Sequence, residues 1–321
     1  MPKAAVADER ALLLERMWEI RALEEKVSEL YAAKQIAGLL HLGIGQEGVA
    51  TGLAFGIAPR DVVYAGHRAH AHAIAKGADL ERLLAELAGR ASGYCRGNGG
   101  SMHISAPEVG FMTATGVVGG NIPLALGAAL VCRRRRDGRL AVAVFGDGAG
   151  QTGSFHESLN IASLWRLPVL LVCENNGFAE FTPLSAHTLV DRIARHAETY
   201  GIPSVTVDGN DALAVRDAVA SVAERIRAGE GPAFVECLTT RLRGHYEGDP
   251  AKYRELTQLE EWRSRDPLLK LAGRLAADDV ALDVSAVEKK ARFKVEKAAE
   301  KALKGPWPSA SDVAAYVYGE G

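Results

Sequence analysis

Apolar residues recur near every third or fourth position over residues 8–34, where Leu13, Met17, Ile20, Val27 and Leu30 are separated by Glu, Arg and Lys. That spacing predicts an amphipathic helix, with Asp8 placed to cap it. A turn at Gly38 leads to a second predicted helix of small residues over 46–56, and a third follows over 80–89. From Asn121 the pattern becomes regular. Asn121 as cap and Pro123 in the first turn open a small-residue helix over 124–135 that closes at Gly138. Residues 140–145 and 169–173 are unbroken apolar runs, and between them 152–165 sets Phe155, Leu159, Ala162 and Trp165 near one helical face. An apolar stretch at 205–207, a helix over 211–228 and a run over 233–238 repeat the alternation. Non-alternating strands separated by helices predict an α/β fold, a mostly parallel sheet covered by helices on both faces with right-handed crossovers. After Tyr246 the chain turns polar, with helices predicted over 252–265, 268–277 and 286–303 before a short tail.

One stretch breaks the pattern. Residues 93–120 show little periodicity, many glycines and scattered Ser, Asn, Thr and His, and loops this long inside a compact domain are usually functional. Of 34 glycines, nine fall between Gly89 and Gly120 and five between Gly138 and Gly153, so backbone there is expected to pass close to something. The 321 residues allow about two domains, or one large α/β domain with extensions. No repeat or low-complexity linker divides the chain, so we place an N-terminal helical extension at 1–40, the α/β domain at 41–250 and a C-terminal helical extension at 251–321 that serves subunit contacts.

Charge excludes some functions. With 38 Lys+Arg against 40 Asp+Glu and a net charge of −2, the chain lacks the cationic excess of a nucleic-acid binder. The run Arg133-Arg134-Arg135-Arg136 suits the negative end of a helix dipole. No run of 18 apolar residues could span a bilayer, and Met1-Pro2-Lys3-Ala4 passes into a charged helix rather than a signal peptide. Cys95, Cys132, Cys173 and Cys237 have no CxxC spacing, and three lie in apolar runs. Buried, reduced thiols and a cytoplasmic location are expected.

Ligands of open parallel sheets bind beyond the carboxyl ends of the strands. There the first run ends Gly146-Asp147-Gly148-Ala149-Gly150 and the next ends Glu174-Asn175-Asn176-Gly177. A carboxylate and an amide carbonyl are hard oxygen ligands suited to Mg²⁺, which completes its shell with phosphate oxygens and water. The flanking glycines let backbone N–H groups approach a phosphate at the start of the following helix. Gly-Asp-Gly alone is a common tight turn, and Asn-Asn alone is as easily a turn or cap. Gly-Asp-Gly, 26 residues and Asn-Asn together form the thiamine diphosphate motif. A dinucleotide site fits worse, because Asp147 puts a carboxylate where a pyrophosphate would sit.

With these residues in place, the chain resembles the α subunit of the thiamine-dependent first component of 2-oxo acid dehydrogenase complexes, and within it the acetoin dehydrogenase branch. The resemblance covers 41–254. It includes His41-Leu42-Gly43-Ile44-Gly45-Gln46-Glu47, His67-Arg68-Ala69-His70, Gly99-Gly100-Ser101-Met102-His103, Gly116-Val117-Val118-Gly119-Gly120, the Asp147/Asn176 motif, and Arg243-Gly244-His245-Tyr246-Glu247-Gly248-Asp249-Pro250. It implies the thiamine diphosphate-binding fold with thiamine diphosphate and Mg²⁺ as cofactors. Asp147, Asn176 and the carbonyl of Phe178 would bind Mg²⁺. Arg68, Arg241 and the N–H groups of Gly148 and Ala149 would hold the diphosphate, with His67 beside them. Gly116 and Val118 would hydrogen-bond the aminopyrimidine, and His245 and His41 would face the reacting centre as the catalytic pair.

The chain departs from the family at Gln151-Thr152-Gly153, and Tyr246 stands where mammalian pyruvate enzymes carry a regulatory phosphoserine. His156, His187 and His196 lie outside the motifs and are expected to be structural or exposed, whereas His103 is open between loop structure and site. His67, His70 and His72 lack a Cys or carboxylate at metal-ligand spacing, which disfavours zinc.

The family's activating glutamate has no match at Glu47, Glu157 or Glu174. The resemblance therefore implies a β subunit that supplies it, an α₂β₂ assembly with the site between subunits, and a lipoyl-bearing acyltransferase as acceptor. The substrate would be a small carbonyl compound, acetoin first, with pyruvate or a branched 2-oxo acid as the alternative. A non-catalytic cofactor-binding subunit and an NAD-dependent oxidoreductase are the competing classes.

Overall fold

A computed structural model describes residues 3–254, 260–261 and 263–311. The helices are α1 Lys3–Ala32, α2 Glu47–Gly56, α3 His70–Ala75, α4 Leu80–Leu87, α5 Asn121–Arg135, α6 Gly153–Leu164, α7 Leu184–His187, α8 Ala194–Thr199, α9 Ala212–Arg227, α10 Pro267–Ala277 and α11 Val284–Ala302. The strands are β1 Val62–Ala65, β2 Phe111–Ala114, β3 Ala141–Gly146, β4 Val169–Asn175, the short pair β5 Phe178–Ala179 and β6 Thr182–Pro183, then β7 Ser204–Asp208 and β8 Ala233–Leu238. Six strands form one sheet in the order β2-β1-β3-β4-β8-β7, and every neighbouring pair is parallel.

Alternation along the strands divides the core between the two faces of the sheet. Val142, Val144, Leu170, Val172 and Val235 point one way, against Leu53 of α2, Leu83 and Leu84 of α4, and Val215 and Val219 of α9. Ala141, Ala143, Phe145, Val169, Leu171 and Phe234 point the other way, against Ile122 and Ala125 of α5, Phe155 and Leu159 of α6, and Ala197 of α8. Each buried Leu, Val, Ile or Phe here stabilises the fold by about 1.5–3 kcal/mol. The terminal helices join this packing. Val27 and Leu30 of α1 and Val295 and Ala299 of α11 share the first cluster, and Leu13, Leu14 and Met17 of α1 pack with Leu268, Leu271 and Leu275 of α10. Small residues on α2 permit its close approach to α9, because a Cβ on Gly52 would stand 2.6 Å from the carbonyl oxygen of Ala212.

Several expectations change in detail. The first helix starts before Asp8, which lies inside it rather than capping it. Asn121 is also inside its helix, whose cap is Gly120. Its side chain instead donates to the carbonyls of Tyr64 and Val144, tying α5 to two strands. The long loop contributes an edge strand, β2, and β1 and α3 were not foreseen. The helix predicted over 252–265 runs through 255–259 and 262, outside the described residues, as does the tail from 312. Cys132, Cys173 and Cys237 are buried, and none of the four cysteines is in a disulfide. No described helix is long and apolar enough to cross a membrane.

Candidate active site at the carboxyl edge of the sheet

Strand β3 ends one residue before Asp147, and Gly146 pairs with Glu174 across the sheet. The register therefore brings Asp147 and the Asn175-Asn176 pair to one rim. A cavity of about 380 Å³ opens there, within the roughly 300–1,000 Å³ of small-molecule sites. His41, His67, Arg68, Gly116, Val118, Asp147, Gly148, Ala149, Asn176, Phe178, Arg241 and His245 all line it.

The two asparagines do different work. Asn175 donates to Glu236 at 2.7 Å and accepts from the Gly177 amide at 3.0 Å, so it holds the turn. Asn176 faces the cavity, and its side-chain oxygen accepts from the Phe178 amide at 3.2 Å. Asp147 is 1% exposed, and its Oδ2 has no hydrogen-bond partner. Burial raises its pKa, against the lowering effect of backbone amides, His187 and Arg241. A buried carboxylate oxygen without a donor is costly unless something cationic meets it. The site fits a hard metal ion at this corner.

The opposite wall is cationic. Arg68, in the turn after β1, donates to the carbonyls of Leu42 and His245, both at 2.7 Å. Arg241, just beyond β8, donates to the Glu180 carbonyl at 3.1 Å and to the Tyr253 hydroxyl at 2.8 Å, and its Nε has no partner. Tyr253 in turn donates to Asp249, which also accepts the backbone amide of His245 at 2.6 Å. Burial and the neighbouring Arg241 bring Arg68 down to about 9, and burial lowers Arg241 as well. Two buried guanidiniums on the cavity wall, one with an Nε that lacks a partner, suit an anion such as a diphosphate.

Three imidazoles meet between these walls. His41, His67 and His245 have ring centroids 4.7, 4.9 and 5.6 Å apart. Burial first, then Arg68, holds His41 at about 4, His67 at about 2 and His245 at about 3, so all are neutral near pH 7. Nδ1 of His245 lies 3.3 Å from the Arg68 guanidinium and 3.1 Å from that of Arg241. Guanidinium nitrogens only donate, so Nδ1 accepts and the ring proton sits on Nε2.

The glycine loop forms the lip. Gly119 has φ +76°, and a Cβ there would stand 2.6 Å from Thr152 Oγ1. Thr152 caps α6 by accepting from the Phe155 amide and donates to the Ala149 carbonyl. The unusual Gln151-Thr152 thus still shapes the turn that presents Gly148 and Ala149. Val117 and Val118 are 68% and 51% exposed, an apolar edge at the mouth.

Sequence reasoning missed the supports. Glu86 is buried and accepts four backbone amides of the segment 95–100. His70 bridges Glu24 and Ser101, at 2.9 Å each. Glu174 lines the cavity and pairs with His72 at 3.2 Å. His187, expected outside the site, lies with its Nε2 3.6 Å from Asp147 Oδ2. A glutamate preceding a glycine-rich segment is the one signal that could have exposed Glu86; the others depend on tertiary contacts. Glu47 is committed to Arg21 and the Gly45 amide, and Glu157 is exposed. Among the described residues, the carboxylates lining the cavity are Asp147, Glu174 and Glu180.

Comparison with known proteins places the chain in a family. Residues 15–311 match the family described as dehydrogenase E1 component. The acetoin:2,6-dichlorophenolindophenol oxidoreductase α subunit of Bacillus subtilis is 40% identical over 98% of this chain and 95% of its own length. The protein of the same name from Cupriavidus necator is 38% identical over 94% and 92%. The pyruvate dehydrogenase E1 component α subunit of Zymomonas mobilis is 40% identical over 94% and 87%.

Proposed function

The chain belongs to the dehydrogenase E1 component family, and on that premise we propose that it is the α subunit of a thiamine diphosphate- and Mg²⁺-dependent enzyme that cleaves acetoin. The buried, unpartnered Oδ2 of Asp147 facing a cavity walled by Arg68 and Arg241 carries this reading. Asp147, the side-chain oxygen of Asn176 and the carbonyl of Phe178 hold the metal ion. Arg68, Arg241 and the amides of Gly148 and Ala149 hold the diphosphate beside His67. Backbone groups of Gly116 and Val118 orient the aminopyrimidine.

When bound, thiamine diphosphate supplies the carbanion and the electron sink that breaking a C–C bond beside a carbonyl requires. The chain's own residues orient the substrate and handle its protons. With its proton on Nε2, His245 is a hydrogen-bond donor to the substrate's carbonyl or hydroxyl oxygen. Neutral His41, whose Nδ1 is buried without a partner, stands next to it as the second proton-handling group. Asp249 and Tyr253 are positioning residues, since they fix the His245 backbone and the Arg241 guanidinium. The valine lip of the cavity is open to solvent.

That opening is consistent with a partner's closing the site. A β subunit supplies the glutamate that activates the pyrimidine, in an α₂β₂ assembly located in the cytoplasm. The two-carbon unit passes to a lipoyl-bearing acyltransferase. A second substrate reading, pyruvate, is kept because an α subunit of a pyruvate enzyme is as similar as those of acetoin enzymes.

The test is co-expression with a candidate β subunit and comparison of acetoin- and pyruvate-dependent dye reduction with thiamine diphosphate and Mg²⁺ present. Acetoin is expected to give the higher kcat/KM. A preference for pyruvate reverses the substrate, and full turnover by the α chain alone overturns the shared site.

A further inference from the structure

The corner that holds Asp147 contains a second unsatisfied group. Both ring nitrogens of His187 are buried and lack a hydrogen-bond partner, as does Asp147 Oδ2. The facing atoms, His187 Nε2 and Asp147 Oδ2, are 3.6 Å apart, too far for a hydrogen bond. An unsatisfied buried polar group costs about 1–3 kcal/mol, so this arrangement is poor unless a third body lies between the two atoms. With metal–ligand distances of about 2.0–2.2 Å, two neighbouring ligands of one ion stand roughly 3.0–3.6 Å apart. The observed 3.6 Å lies at the outer end of that range.

Local folding delivers the imidazole to this place. After Asn176 the chain makes the β5–β6 hairpin, and the Leu184 amide returns to the Gly177 carbonyl at 2.8 Å. The single turn α7 follows, closed by the Thr188 amide on the Leu184 carbonyl at 3.1 Å. It rests against the turn Asp147–Gln151 with His187 at its end. One short excursion of chain therefore carries Asn176, Phe178 and His187 to the same carboxylate.

We infer that His187 Nε2 is a ligand of the divalent ion held at Asp147, so this centre includes a nitrogen beside its oxygen donors. The inference rests on the reading of Asp147 as a cation site. An imidazole ligand favours Mn²⁺ or Co²⁺ over Mg²⁺, which prefers oxygen.

Electron spin-echo spectroscopy of Mn²⁺ in the α/β enzyme loaded with thiamine diphosphate tests it. The wild type shows an imidazole ¹⁴N coupling that changes to the ¹⁵N pattern on ¹⁵N-histidine labelling. His187→Gln loses it while still binding Mn²⁺. Calorimetry with Mn²⁺ and with Mg²⁺ gives a preference for Mn²⁺ that falls about tenfold in His187→Gln. Bound Mn²⁺ without histidine coupling in the wild type, or an unchanged metal preference in the variant, overturns the ligand and leaves the Asp147 site standing. Mn²⁺ that fails to bind the wild type, or binds Asp147→Asn equally well, overturns both.

Discussion

The carboxylate of Glu86 is 0% exposed and accepts four backbone N–H groups. Oε1 takes those of Gly99 and Gly100 at 2.7 and 3.1 Å, and Oε2 takes those of Cys95 and Gly97 at 2.7 and 2.9 Å. In Glu86→Gln the shape is kept, but one oxygen becomes an NH₂ group. Whichever way the amide lies, two backbone donors then face a donor. Hydrogen bonds to a charged acceptor contribute about 1.5–3 kcal/mol each, so losing two costs about 3–6 kcal/mol. Residues 95–100 open locally while the sheet stays folded. At about 1.4 kcal/mol per factor of ten, exchange of the orphaned amides accelerates by about 10²–10⁴-fold, up to the limit set by the loop's own opening. Hydrogen–deuterium exchange read by mass spectrometry on peptides from this loop measures it, with a β4 peptide as the internal reference. Because the segment continues into Ser101, bonded to His70, and Met102, on the cavity wall, thiamine diphosphate affinity is expected to fall with it. Loop protection within about twofold of wild type would refute the claim that this carboxylate orders the loop.

Three further outcomes follow from the geometry. Asp147→Asn removes the buried anionic oxygen, so Mg²⁺-dependent cofactor affinity falls by at least about 100-fold in calorimetry, while the cofactor-free protein melts no lower than wild type. In the folded, cofactor-free chain His41 and His245 titrate at about 4 and 3 against 6.5 unfolded. Below pH 6.5 the unfolded chain takes up protons that the folded chain refuses, so stability declines as pH drops through this window. A urea-unfolding series should show a shallower decline for the double variant His41→Gln/His245→Gln; an equal slope contradicts the assignment. Gly119→Ala forces a side chain into a left-handed residue at a cost of about 1–2 kcal/mol and presses on Thr152, so it lowers both Tm and cofactor affinity. Gly127→Ala, on a helix face with nothing within 4 Å, leaves cofactor affinity unchanged.

The parallel sheet was legible because its strands are continuous apolar runs, and the meeting of Asp147 and Asn176 at one rim because they follow successive strands. Short elements were not. β1 has four residues, and α3 is His-Ala-His-Ala-Ile-Ala, a sequence without an amphipathic period. Asn121 misled because an Asn before a helical run is usually a cap, whereas here its amide bridges two strand carbonyls from inside the helix. His187 was set aside for the same reason Glu86 went unnoticed. Each contact is made by folding rather than by a motif: His187 meets Asp147, 40 residues away, and Glu86 gathers the amides of Cys95, Gly97, Gly99 and Gly100, with a glycine-rich segment downstream as the only hint. Motif spacing contains no record of such a contact.

What unites the cavity residues is the charge they lack. Arg68 and Arg241 are buried, repel one another, and have Glu174, Asp249 and Asp147 as only partial compensation. Holding such guanidiniums out of water without close ion pairs costs several kcal/mol, and an anionic ligand between them returns much of that. The imidazoles are tied to the same balance. Their low titration has three causes: burial first, then the positive field of Arg68 and Arg241, and the neighbouring imidazoles. An anion lying between the arginines cancels the second cause and leaves the others. His245, which touches both guanidiniums, therefore responds most, and its pKa moves upward towards the range where an imidazole exchanges protons near neutral pH. The two cavity arginines and the imidazoles beside them are thus one electrostatic unit.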